Sequence, residues 1–152
     1  LLTRYTAQWN SDTHKLPLWV IGANPGDPIN IPGVTFGDIH DPKAGMELPI
    51  KVQLIVINKA MVPESILTTF LHEYGHALYR FSSSETWNEI DSEVEAIRFT
   101  LVALDAENLM HLAYREARAV KDMSYKEPYK SAVTKLAKYP IWRKYSHYVS
   151  PP

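Results

Sequence analysis

Residues 70–80 read FLHEYGHALYR, and the helical phase of that stretch decides how the rest of the chain is arranged. At 3.6 residues per turn, Leu67, Phe70, Leu71, Tyr74 and Leu78 gather on one side of a helix, and Thr69, His72, Glu73 and His76 on the other. The apolar side anchors the helix in a core, which leaves the polar side to line a cleft. His72 and His76 stand one turn apart, so two imidazoles can reach one ion. Glu73 lies about 100° round the helix from His72, placed to meet a water on that ion without ligating it. Zinc takes neutral nitrogen ligands and, in catalytic sites, keeps one position open for water. It lowers the pKa of that water to about 7, so a carboxylate can take the proton and pass it to a leaving amine. A His-Glu-x-x-His helix supplies these parts. Its chance occurrence in a chain with six histidines is on the order of one in a hundred, and the plain alternative is a histidine-bearing helix that holds no ion. Gly75 costs about 1 kcal/mol against alanine inside a helix, which makes sense where another backbone or a substrate comes close.

A third ligand is required, and DSEVEAIRF (residues 91–99) offers Glu93 and Glu95. Ser92 with Glu95 reads as a capping box, Ser92 as N-cap and Glu95 reaching back. That gives Glu95 a structural task and favours Glu93 as the ligand. The alternative is that both are acids favoured by the positive end of a helix dipole.

Outward from this core the chain divides by composition. Between Pro63 and Pro128 there is one glycine and no proline. Pro63 suits a first helical turn, with Glu64 near the positive end of the dipole. Helices are expected from Pro63 to about Arg80, over 92–104, over 106–122 with Asp105 as N-cap, and over 128–138. Val94, Ile97, Leu101 and Leu104 set one apolar phase; Leu109, Leu112, Ala113, Ala117 and Val120 set a shifted one, which points to a break near 105, with one bent helix as the alternative. Residues 1–60 read as strands and loops, with strands over 16–23, 34–40 and 51–60. In the last of these Val52, Leu54 and Val56 alternate while Ile55 and Ile57 fill the other face, the pattern of a strand buried on both sides. Residues 140–152 form an aromatic, basic tail. The expected architecture is a single α+β domain over 1–152: strands and loops (1–60) building a small sheet, packed on a bundle of about four helices (63–139).

With 152 residues the chain is long enough for a real core. A net charge of −1 gives no global field towards nucleic acid or membrane. Cysteine is absent, so a metal must rely on His, Asp or Glu; the lack of thiols fits the cytoplasm. No run approaches the ~20 apolar residues of a membrane span, and early Arg4, Gln8 and Asn10 do not fit a signal peptide. A start at Leu1 fits a trimmed chain with residues upstream.

The stretch IVINKAMVPESILTTFLHEYGHALYRF, followed by EVEAIRF, resembles the gluzincin metallopeptidases and, within them, the ImmA/IrrE-type family. That pattern has a strand ending in asparagine (here Ile55 to Asn58), a helix with His-Glu-x-x-His (His72 to His76), then Glu-x-x-Ala on the next helix (Glu93 to Ala96). Ile97 stands where the family usually has Asn or Asp. The resemblance spans about residues 51–101. It implies a zincin-like active-site helix, one zinc ion held by His72, His76 and Glu93, Glu73 as catalytic base, and peptide-bond hydrolysis. It also implies a peptide or protein substrate added as a strand along the sheet edge, here KVQLIVIN. The alternative function is a metal-binding regulatory module on the same scaffold without turnover; a regulatory partner or pro-segment is compatible with either.

An oxyanion donor besides the ion is required for hydrolysis. Tyr145, His147, Tyr148, His111 and Tyr79 are candidates, each with a structural alternative. His14 and His40 read as surface residues, and Trp9, Trp19, Trp87 and Trp142 as packing. Residues 115–146 carry nine Lys/Arg against three acids, and residues 85–107 seven acids against Arg98 alone. A solvated basic face accounts for the first segment more simply than nucleic acid does, and the two segments are expected to pair.

Overall fold

The computed structural model describes residues 2–10, 18–23, 33–36, 53–58, 60–82 and 88–147. The fold is mostly helical. Its elements run α1 (Leu2–Asn10), β1 (Leu18–Ala23), β2 (Gly33–Phe36), β3 (Gln53–Asn58), α2 (Pro63–Ser82), α3 (Glu89–Ala106), α4 (Met110–Asp122), α5 (Tyr129–Leu136) and α6 (Pro140–Ser146).

The three strands pair in the order β1-β3-β2, β1 parallel and β2 antiparallel to β3. The register sets Trp19 opposite Leu54 and Thr35 opposite Ile55. β3 is therefore central, and both of its hydrogen-bonding edges are taken. This corrects the expectation that Lys51–Asn58 offers its edge to a substrate strand. The same apolar filling of both faces that marks a central strand argues against that role. Ile55 and Ile57 belong to the buried cluster that also holds Phe70, Leu71 and Tyr74 of α2. At the end of β3, Asn58 Oδ1 accepts from the Ala60 amide at 3.0 Å, turning the chain towards α2.

α2 begins with the Val62 carbonyl accepting from Ser65 and Ile66, so Pro63 occupies a position whose missing amide proton is no loss. Phe70, Leu71, Tyr74 and Ala77 are buried along one side. Each large side chain there contributes about 1.5–3 kcal/mol of burial. α1 departs from the expected strands and loops of the N-terminal sixty residues. Tyr5 and Trp9, one helical turn apart, both stack edge-on against Tyr74, at 5.4 and 5.6 Å between ring centroids. Trp9 is fully buried; tertiary packing, rather than local propensity, holds this short helix.

α3 starts a turn earlier than the Ser92 capping box predicts. The Asn88 side chain accepts from the Asp91 amide at 3.0 Å and is the N-cap. It ends later than expected, because Asn108 adopts a left-handed backbone (φ 60°). The Leu109 amide then returns to the Leu104 carbonyl at 2.9 Å, the bond pattern of a helix C-terminus. Asp105 is thus inside α3 and caps nothing; it accepts from Lys144 Nζ at 2.7 Å and from the Tyr145 hydroxyl of α6. Lys135 likewise meets Asp91 at 2.6 Å, so the basic and acidic segments do pair. α6 occupies much of the expected tail, and its Trp142 and Tyr145 are buried. The expected loop at 82–86 lies outside the described residues but for Ser82, the last residue of α2. Trp87, His14, His40 and Tyr148 also lie outside the described residues. No helix among the described residues is long and apolar enough to cross a membrane.

Candidate metal centre

The site is built where α2 and α3 pack against each other at Gly75. A β-carbon on Gly75 would lie 2.7 Å from Ala96 Cα and 3.3 Å from the Ala96 carbonyl oxygen. The approaching backbone foreseen for Gly75 is therefore that of α3. This contact carries Glu93, three residues before Ala96, to the polar side of α2. Glu93 Oε2 lies 3.2 Å from His72 Nε2, and Oε1 lies 3.1 Å from His76 Nε2. The two Nε2 atoms are 3.1 Å apart, with the rings nearly perpendicular at 78°. Glu95 is turned away and pairs with Arg98 at 2.8 Å. Between the two carboxylates left open by the sequence, the structure brings Glu93 to the histidines.

Donors about 2.0–2.1 Å from a tetrahedral ion stand roughly 3.3–3.4 Å from each other. The 3.1–3.2 Å spacings here come within a few tenths of an ångström of that figure. His72, His76 and Glu93 also form a group whose donor atoms all lie within 4.8 Å of one another. Glu93 Oε2 is buried, with no well-aligned hydrogen-bond partner among the described residues. The three groups converge on a common point, and a divalent cation fits them. Two imidazoles and one carboxylate are a donor set suited to zinc and related transition metals.

The outer nitrogens of the two rings are differently placed. His76 Nδ1 lies 2.7 Å from Ser92 Oγ; Ser92, expected to cap α3, is buried and meets His76 instead. His72 Nδ1 is buried without a hydrogen-bond partner among the described residues. The nearest acid on that side is Glu116 of α4, with Oε1 at 3.8 Å.

Electrostatics follow from crowding acids around two imidazoles. Burial disfavours a charged His72, but the Glu93 carboxylate against it, with Glu116 and Glu73 farther off, outweighs this and lifts its pKa to about 9. Burial likewise works against ionised Glu93, and the two histidines overcome it, holding its pKa down to about 2. Glu116 is pushed above its ordinary value by burial, an effect that Glu93 increases and His72 opposes. With no metal, a His72–Glu93 ion pair occupies the same contacts as the metal ligands would.

These groups open into a cavity of 370 Å³ lined by Thr68, Thr69, Glu73, Val120, Met123 and Tyr129 as well as the ligand group and Glu116. Glu73 is buried there beside His72 and His76. Among the described residues, none of the predicted oxyanion donors is in this lining, and Tyr148 lies outside the described residues. Tyr145 is buried against Asp105, Tyr79 lines two other clefts, and His111 and His147 are exposed. Tyr129, the first residue of α5, is in the lining. Burial and then Glu93, Glu116, Glu73 and Glu89 push its phenol up to about 12, so it remains a proton donor at neutral pH.

Glu116 and Tyr129 were not singled out by the sequence. For Glu116 the signal was present: Leu112, Glu116 and Val120 stand at i, i+4 and i+8, so an acid interrupts the apolar stripe of α4. Tyr129 reaches the site only through the turns after α4, which carry no comparable pattern. Comparison with protein-family models, with curated proteins and with solved structures finds no match for this chain.

Proposed function

We propose that the chain is a metal-dependent peptidase of gluzincin type, with one zinc ion held by His72, His76 and Glu93. The observation that carries this reading is the convergence of two Nε2 atoms and a carboxylate at 3.1–3.2 Å on the wall of a cavity that also holds Glu73. The resemblance of residues 51–101 to gluzincins supports it. A divalent ion in this ligand set supplies Lewis acidity, polarising a peptide carbonyl and acidifying water.

The chain's own residues then divide the work. His72 and His76 are fixed one turn apart by α2, and Glu93 is fixed by the Gly75–Ala96 contact, so the ligand set is organised before substrate arrives. Glu73 takes a proton from the attacking water and hands it to the amide nitrogen as the peptide bond breaks. Tyr129 donates its hydroxyl hydrogen bond to the substrate carbonyl oxygen as negative charge develops there. Val120 and Met123 offer an apolar wall to a substrate side chain.

The test is hydrolysis of a peptide library by the zinc-loaded chain and by Glu73→Gln. Cleavage that the substitution abolishes, with zinc still bound, is the expected result. Zinc binding with no cleavage by either form would replace this reading with a metal-binding regulatory module on the same scaffold.

A further inference from the structure

We propose that Glu116 is a positioning residue for His72, accepting a hydrogen bond from Nδ1–H and so turning the Nε2 lone pair towards the metal. This rests on the metal-centre reading above.

The geometry favours it over two alternatives. Glu116 Oε1 is nearest to Nδ1, the ring nitrogen opposite the one that converges with His76 and Glu93. A carboxylate behind the imidazole does not share an ion in front of it, so Glu116 is not a fourth ligand. Nor is simple space-filling a good account, because a carboxyl group on the buried stripe of α4 carries a desolvation penalty that an apolar side chain of similar length avoids.

His72 Nδ1 needs an acceptor. A metal-bound imidazole keeps its proton on the outer nitrogen, and a buried N–H without a partner costs about 1–3 kcal/mol. His76 has this need met by Ser92 Oγ at 2.7 Å. At His72 the matching group is Glu116, at 3.8 Å, about 1 Å beyond an ordinary hydrogen bond. Rotation of an unbranched side chain in a cavity of 370 Å³ covers that distance. Each ligating histidine would then be held from behind by a neighbouring helix, His76 by α3 and His72 by α4. Outer partners of this kind set the tautomer and ring orientation of a ligand, and their loss typically costs about 10–100-fold in metal affinity.

The experiment is a zinc titration of the full chain, of Glu116→Met and of Glu116→Gln, with the His72 Nδ1 proton followed by NMR in the zinc-loaded forms. Methionine keeps the volume and removes the acceptor; glutamine keeps a weaker acceptor. The expected order of affinity is parent, then Gln a few-fold weaker, then Met about 10–100-fold weaker, with the Nδ1 proton resonance shifted in both variants. A role in packing alone would leave zinc affinity and that resonance unchanged in Glu116→Met. That outcome, with zinc bound normally by the parent, overturns the proposal and leaves the metal centre standing. Failure of the parent to bind zinc overturns both. If Glu116→Met does not fold, Glu116→Gln decides: parent-like affinity together with an unshifted Nδ1 proton contradicts the assignment.

Discussion

Gly75 of α2 and Ala96 of α3 are packed so closely that a β-carbon at position 75 would stand 2.7 Å from the Ala96 Cα. The residues on either side of this contact, His76 and Glu93, are the ones that meet at 3.1 Å. Close helix packing and assembly of the candidate site are thus one feature. Gly75→Ala should therefore destabilise the fold, where an exposed helical glycine would gain about 1 kcal/mol from the same change. Neither backbone can move aside like a flexible side chain, so a loss of about 1–3 kcal/mol is expected, as for other overpacked interiors. Denaturant unfolding measures it, and zinc affinity should fall with it because Glu93 is pushed away from the histidines. An increase in stability would show that the two helices separate at no cost.

Metal uptake should depend on pH with a definite sign. In the metal-free chain His72 titrates at about 9, above its ordinary 6.5, so its contribution to stability is complete below pH 6.5 and is lost as pH rises towards 9. Glu93, held down to about 2 from 4.5, contributes above pH 4.5 and loses that contribution as pH falls towards 2. The metal-free chain should thus gain most from this pair between about pH 4.5 and 6.5, and its melting temperature should drop from there to pH 9. Zinc must displace the His72 proton, so its apparent dissociation constant should tighten about tenfold per pH unit from 6.5 to 8.5. Calorimetry in buffers of different ionisation enthalpy counts the released proton; no release and a flat affinity would contradict the pairing.

Tyr129→Phe tests the donor assigned from the cavity lining. On the peptidase reading kcat should fall about 100-fold or more, with KM and zinc content little changed, because the bond is made as charge develops in the transition state. Equal turnover by the phenylalanine variant would remove Tyr129 from the mechanism.

Asp105 gives a control away from the site. It joins α3 to Lys144 and Tyr145 of α6, and Tyr145→Phe should cost about 1 kcal/mol of stability while zinc affinity stays as in the parent. A shift in zinc affinity would mean that α6 is coupled to the ligand helices.

Much of the candidate site was legible because helical periodicity is local: the phase of residues 67–78 separates the buried anchoring side from the side that carries His72 and His76 without knowledge of any partner. The choice between Glu93 and Glu95 was harder. A capping box of Ser92 and Glu95 would leave Glu93 free, but the structure caps α3 with Asn88 and sets Ser92 against His76. Glu93 stands near the histidines because of the Gly75–Ala96 contact and not because Glu95 is occupied in a cap. What the sequence did not reveal depends on distant contacts. α1 is held by Tyr74, which is 69 residues from Tyr5 in the chain. Glu116 and Tyr129 join the cavity through the packing of α4 and α5, and β3 lost its expected edge because β2 pairs with it.

The central claim is that His72, His76 and Glu93 hold one ion. Zinc titration of the chelator-stripped chain, beside Glu93→Ala and Glu95→Ala, tests it most directly. The account predicts one equivalent bound by the parent and by Glu95→Ala, and binding weakened at least 100-fold in Glu93→Ala. No binding by the parent, or a loss confined to Glu95→Ala, would contradict it.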